Sequence, residues 1–398
     1  MDTLNRELIN EYKESWPLIC DEWIDDGLFL WFSYLHQNGL YRLKKGERSA
    51  EFVSNFPNQE RMGFRLYKSI AETHNKLVFA PGSATEIAIY DKTNGSIKMI
   101  PFDLKVCQRK NWCMECSKFW SAMAYDGFVY LFGRGYPGII CLNVDTYEID
   151  YIIKWVNDVE TITDKESRQG YLYNGVKVGD EVYFGLNCSD ALFSFSLKTQ
   201  EYTLHELGTG INGFKGIAFD GNAIWITPSF QDNVVRYDIK SSHSLVVDVS
   251  EHIDRDASGS PFATPVVLGN SIMVFPMMGK HVLMIDRQSL SVTKCDELQS
   301  LFETPKRSVI GSLDGMNASE VLDDNRILFI NGNDASWVMF SLENGIEKRF
   351  HVTADKNQSM KICSRLIFEQ QWGKKSFWNE GEVHSLDCFC SYLGCERE

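Results

Sequence analysis

The run Gly216-Ile217-Ala218-Phe219-Asp220-Gly221-Asn222-Ala223-Ile224-Trp225-Ile226-Thr227-Pro228, followed by Val235-Arg236-Tyr237-Asp238, contains the rule by which the chain is built. An apolar stretch runs into Asp-Gly-Asn, residue types that tolerate positive φ in a tight hairpin. Ile224-Trp225-Ile226 then places bulky side chains in succession, the pattern of a strand covered on both faces. A short polar loop leads to a third strand that ends at Tyr237.

Read outward from this stretch, the same order recurs along nearly the whole chain. The hairpin turns fall at Asp25-Asp26-Gly27, His74-Asn75-Lys76, Asp126-Gly127, Gly179-Asp180, Asp220-Gly221-Asn222, Gly269-Asn270 and Asp324-Asn325. The third strands are anchored at Tyr41, Tyr90, Leu142, Phe195, Tyr237, Ile285 and Phe340, which recur every 42 to 55 residues. A fourth, more polar strand alternates, as in Ser96 to Ile100, Tyr202 to His205 and Ser291 to Lys294. Four antiparallel strands in about 50 residues make a propeller blade. The expectation is an all-β, seven-bladed β-propeller of four-stranded antiparallel blades.

These units resemble the seven-bladed β-propellers of the NHL, YVTN and streptogramin-lyase type, over about Leu18 to Thr353. The resemblance is to an architecture. Streptogramin lyases use histidine and glutamate near the central mouth, but no motif of theirs matches here residue by residue. The Trp-Asp dipeptide, the kelch Gly-Gly pair and the sialidase Ser-x-Asp-x-Gly-x-x-Trp box are all missing from the sequence.

The expected division is an N-terminal helical extension over 1–17, the propeller over 18–353, and a C-terminal extension over 354–398. Leu4, Leu8, Ile9 and Tyr12 have helical spacing, as do Val383, Leu386, Cys390 and Leu393. Both short helices are expected on the propeller rim. The first blade already accounts for four strands, so no strand exchange between the termini is expected to close the ring.

With 40 Lys plus Arg against 54 Asp plus Glu, the net charge is −14. Such a field repels nucleic acid and anionic membrane alike, so neither is expected as a partner. No apolar run approaches the ~20 residues of a membrane helix. Met1 to Leu8 carry neither a cationic nor an apolar export region, which predicts a cytoplasmic protein. The eleven cysteines then read as reduced thiols. Cys113-Met114-Glu115-Cys116, with Cys107 nearby, is the one local pattern like a metal knuckle. Zinc requires four ligands, so the expectation is no metal and no cofactor, with Cys107, Cys113 and Cys116 as the alternative. Gly208 to Gly213 fits G-x-G-x-x-G, but Phe214 to Phe219 reads as a strand and not the helix a dinucleotide site needs. The acidic connection Asp158 to Glu166 reads as a solvated loop, with a docking patch for a basic partner as the alternative.

Superposing the repeats singles out the residues just before each innermost strand: Lys68, Trp120, Asn174, Lys215, Thr264 and Ala318. Loops on the same face add Arg134, Lys280 and His281, together with Asn187, Gln231, Asn333 and Asp334. Cations concentrated there on an acidic chain read either as ordinary solvated loop residues or as a polar pocket for an anionic or carbohydrate-like ligand, with Trp120 as its stacking surface. The expected function is a non-catalytic binding or scaffolding module for a protein or a small polar ligand. The alternative is a lyase or hydrolase, with His281 as general base and Lys215 or Lys280 stabilising developing negative charge.

Overall fold

A computed structural model describes residues 3–105, 117–163, 171–253, 260–277, 279–303, 309–312 and 314–372. Blade one holds β1 (Ile24–Asp25), β2 (Phe29–Ser33), β3 (Leu40–Lys44) and β4 (Ser49–Ser54). Blade two runs from β5 (Tyr67–Thr73) through β6 (Lys76–Pro81) and β7 (Ile87–Asp91) to β8 (Ile97–Ile100). Blades three to seven repeat this order. They span β9 (Phe119–Tyr125) to β12 (Ile149–Ile152), β13 (Leu172–Val178) to β16 (Tyr202–Glu206), β17 (Phe214–Phe219) to β20 (His243–Asp248), β21 (Phe262–Leu268) to β24 (Val292–Cys295), and β25 (Met316–Asp323) to β28 (Gly345–His351). The innermost strands of successive blades contact one another, which gives a ring of seven four-stranded antiparallel blades.

The hairpin of the Gly216–Pro228 stretch shows why the repeat forms. Asp220 Oδ1 accepts the backbone N–H groups of Asn222 at 2.9 Å and Ala223 at 2.8 Å, while Oδ2 accepts the Trp225 indole N–H at 2.8 Å. Gly221 between them has φ +93°, a conformation glycine adopts without steric cost. Blade one repeats the device: Asp26 accepts from Leu28, Phe29 and the indole of Trp31. One carboxylate thus closes the turn and ties down the tryptophan of the following strand. From the neighbouring blade, Arg287 bonds to Asp220, and Lys92 bonds to Asp26.

The core consists of apolar clusters, several of them spanning adjacent blades. Between blades three and four, Phe132 meets Phe184 at 4.6 Å between ring centroids, and Trp155 meets Phe193 at 5.0 Å. Trp155 belongs to α2 (Lys154–Thr161), which buries it with Val156 and Val159. Half of the connection read as a solvated loop is therefore helix, because its apolar positions repeat on one face under the acidic ones. A second inter-blade helix, α3 (Asp296–Phe302), buries Leu298, Leu301 and Phe302. Cys20, Cys141, Cys188, Cys295 and Cys363 are buried free thiols, whereas Cys107, Cys113 and Cys116 lie outside the described residues.

The ring is closed differently from the sequence expectation. A two-residue strand, β29 (Thr353–Ala354), leaves blade seven and pairs in parallel with the outer edge of β4 at Ser49 and Ala50. Blade one therefore has five strands. Thr353 N–H donates to the Arg48 carbonyl, Ala354 N–H to that of Trp16, and Leu18 N–H to that of Val352, all within 2.9 Å. So short a strand has no side-chain periodicity, and its pairing rests on main-chain bonds that composition does not encode. The seam is filled by Trp337, which stacks on Trp23 at 4.9 Å. The helix α1 (Thr3–Tyr12) buries Leu8 and Ile9 in this cluster. A longer helix, α4 (Lys356–Trp372), adds Ile362, Cys363 and Leu366 to it. The helix expected at Val383 to Leu393 lies outside the described residues.

Candidate functional site

Six innermost strands break register at the same point, between Tyr67 and Ser69, Phe119 and Ser121, Leu172 and Gly175, Phe214 and Gly216, Phe262 and Pro265, and Met316 and Ser319. The residues left out of pairing include Lys68, Trp120, Asn174, Lys215, Thr264 and Ala318. A bulge bends the strand and re-aims a side chain. All six line one cavity of about 340 Å³, to whose wall every blade contributes. The backbone donors beside several bulges are taken up from within or across blades. Glu22 accepts from Ile70 N–H at 3.1 Å, Ser69 from Ala122 N–H at 2.9 Å, and Ser121 from Gly175 N–H at 3.0 Å. In blade five, Gly216 N–H donates to Thr227 of its own hairpin. Asn174 donates to Thr264 Oγ1 at 2.8 Å, joining blades four and six past blade five.

The cavity wall carries charge of both signs, which the cation-rich reading missed. Asp21, with a side chain only 1% exposed, accepts both forks of Arg65 at 2.7 and 2.9 Å and the Lys68 ammonium at 3.0 Å. Asn317 donates to the same carboxylate at 3.1 Å. Arg65 Nη2, already bonded to Asp21, also donates to Asp314 at 2.6 Å. Burial opposes the Asp314 charge, but Arg65, Lys215 and Lys68 overcome it and hold the carboxyl well below its usual range. Glu22 differs. Burial outweighs its bonds to Ser69 and Ile70 and pushes the carboxyl up to about 7.

Lys215 stands apart from this paired cluster. Among the described residues its nearest carboxylate oxygen, on Asp314, is 3.9 Å away, and its one hydrogen-bond contact is the Met277 thioether, a weak acceptor. Burial lowers its ammonium to about 8 against the pull of Asp314, helped by the nearby charges of Arg134, Lys68 and Arg65. Trp120 presents a second unmet need, since its buried indole N–H has no acceptor among the described residues. The ring itself is not an open stacking surface. It is 7% exposed, with Arg134 at 4.5 Å and Lys68 at 4.8 Å from the ring centroid and the Tyr173 ring set edge-on at 4.7 Å. Cation–π attraction fills the face that a ligand would need.

Arg134 lies behind the wall, donating to the Tyr173 hydroxyl at 2.8 Å. Lys280 and His281 are not among the residues lining the cavity, and among the described residues no carboxylate pairs with His281. Asn187, Asn333 and Asp334 are buried in loop hydrogen bonds to Ser229, Leu301 and Ser336. Asp21, Glu22, Asp314 and Asn317 were not anticipated. A signal existed for Glu22: it lies five residues before Gly27, as Ser69 lies five before His74 and Ser121 five before Asp126.

No protein-family model and no curated protein matches the chain. Solved structures do. A catalytically inactive virginiamycin B lyase from Staphylococcus aureus with quinupristin superposes with a TM-score of 0.56 at 12% identity, over 81% of this chain and 94% of that one. The fold shared with this lyase is the β-propeller, here of seven blades. YCF48 bound to D1 peptide gives 0.55 at 11% identity, over 82% of this chain and 94% of that one. A chain of the mitotic checkpoint complex gives 0.54 at 9%, over 83% and 92%. Identities this low establish shared architecture, and chemistry rests on this chain's own residues.

Proposed function

We propose that the chain is a binding propeller whose central cavity takes a small, polar, anionic ligand, with the Lys215 ammonium as countercharge. The observation that carries this reading is a buried ammonium on the cavity wall whose nearest carboxylate among the described residues, Asp314, stands 3.9 Å away and is itself engaged by Arg65. A ligand carboxylate would restore the lost ion pair, and the Trp120 N–H offers a neutral donor in the same cavity. Asn174, Thr264 and Asn317 supply groups suited to hydroxyls, which favours a sugar acid or hydroxy acid. The volume of about 340 Å³ lies at the small end of ligand sites. The net charge of −14 disfavours long polyanions, so the ligand is monosaccharide-sized. Five buried unpaired thiols fit a cytoplasmic setting.

The test is calorimetric titration of D-glucuronate and D-glucose into the protein and its Lys215→Met variant. Glucuronate is expected to bind at least about tenfold more tightly than glucose, a difference of ~1.4 kcal/mol, and to lose that advantage in the variant. Equal binding of the two sugars, or an unchanged variant, would contradict the reading.

A further inference from the structure

We propose that Lys215 captures its ligand covalently, its Nζ forming an imine with the carbonyl of a small oxo acid in the central cavity. This rests on the reading of that cavity as an anion site, and it narrows the ligand to acids that also carry an aldehyde or ketone.

Three features of the geometry support it. First, Lys215 is held on a rigid element. It is the bulged residue of β17, and the adjoining Gly216 is packed so closely that a Cβ there would lie 2.5 Å from Thr227 Oγ1 and 2.8 Å from the Ala263 carbonyl. Second, the one carboxylate near the amine among the described residues, Asp314, is turned toward Arg65 at 2.6 Å and lies 3.9 Å from Lys215, so it favours the charged form only weakly. Third, Arg134, Lys68 and Arg65 all act against the Lys215 charge, although Asp21 and Asp314 offset part of the last two. Desolvation beside other cations is the arrangement that turns a lysine into a nucleophile at neutral pH. With the ammonium held at about 8, roughly a tenth of the molecules carry the free amine at pH 7.

The step balances without any redox partner. The amine lone pair adds to the carbonyl carbon, one water leaves, and the new C=N bond keeps the lysine nitrogen. Amine plus carbonyl gives imine plus water. Protonation of that nitrogen leaves an iminium beside the ligand carboxylate, so the ion pair of the bound state survives the chemistry. Glu22 lines the same cavity with a carboxyl that exchanges protons near neutrality, and it is the acidic group available to assist loss of water.

The experiment incubates the folded protein with glyoxylate and sodium cyanoborohydride, which reduces the imine to a stable secondary amine, and maps the adduct by peptide mass spectrometry. Lys215 is expected to be labelled at least about tenfold faster than exposed lysines at pH 7.5, because far more of it is unprotonated. Its rate should level off just above pH 8, whereas surface lysines keep accelerating. Acetaldehyde, which lacks the carboxylate, should keep the part of this preference that the free amine supplies and lose the further part that carboxylate binding supplies. The Lys215→Arg variant keeps the charge and should show only the slow surface background. Labelling spread evenly over the lysines would overturn the proposal. Glucuronate binding that depends on Lys215 without fast adduct formation would overturn covalent capture alone and leave the binding reading standing.

Discussion

The two sides of the central cavity use charge in opposite ways. On the side of blades one, two and seven, Asp21, Arg65, Lys68, Asp314 and Asn317 form a closed cluster whose bonds are 2.6 to 3.1 Å. On the side of blades three and five, the Lys215 ammonium has only the thioether of Met277 and a carboxylate at 3.9 Å, and the Trp120 N–H has no acceptor, among the described residues. Both sides are built from the inner ends of blades. Satisfied charge stitches the ring together, while unsatisfied charge is available to a ligand, and the difference depends on which residues the other blades bring opposite.

The largest loss of stability is expected at Asp21. Replacing it with Ala leaves Arg65 and Lys68 short of a partner in a buried setting, and removal of one member of a buried ion cluster costs about 3–5 kcal/mol. Urea denaturation should show that loss. A change below about 0.5 kcal/mol, the ordinary surface value, would mean the cluster is not structural.

Glu22 sharpens the comparison through pH. Its carboxyl is raised from 4.5 to about 7 in the folded protein, so between those values the folded state holds a proton that the unfolded state has released. The contribution is present below pH 4.5 and is lost as pH rises toward 7, with a slope approaching ~1.4 kcal/mol per pH unit. The Glu22→Gln variant should lose this component, so its stability should fall less across pH 5 to 7 than that of the parent. Identical profiles would remove Glu22 as the titrating group.

The smallest stability effect is expected at Lys215. Lys215→Met removes a buried ammonium that lacks a close partner, and Asp314 retains Arg65, so stability should stay within about 1 kcal/mol of the parent. Calorimetric melting checks this directly. A loss comparable with that of Asp21→Ala would place Lys215 in the structural cluster and erase the distinction between the two sides.

The blade repeat was legible in the sequence because each hairpin uses the same physical parts: a turn that tolerates positive φ, and a second strand buried on both faces. The inner positions were legible too, since counting from the turn places Lys68, Trp120 and Lys215 at equivalent points. What they meet was not. Asp314 pairs with Arg65 across 249 residues of chain, and no local pattern announces such a partner. Trp120 shows the limit most plainly: its position was readable, yet the cations covering its ring come from other strands and loops. The closing strand β29 escaped for a related reason, as two residues bonded through their backbone leave no mark in side-chain order.

An ammonium as weakly paired as that of Lys215 in a ligand cavity should be visible in its titration. The most direct measurement is NMR detection of the Lys215 side chain through a pH titration, with and without D-glucuronate, using Lys215→Met to assign the signal. The midpoint should lie near 8 in the free protein and move upward when the ligand carboxylate binds. A midpoint at the ordinary lysine value of about 10.4, unmoved by the ligand, would contradict this weak pairing.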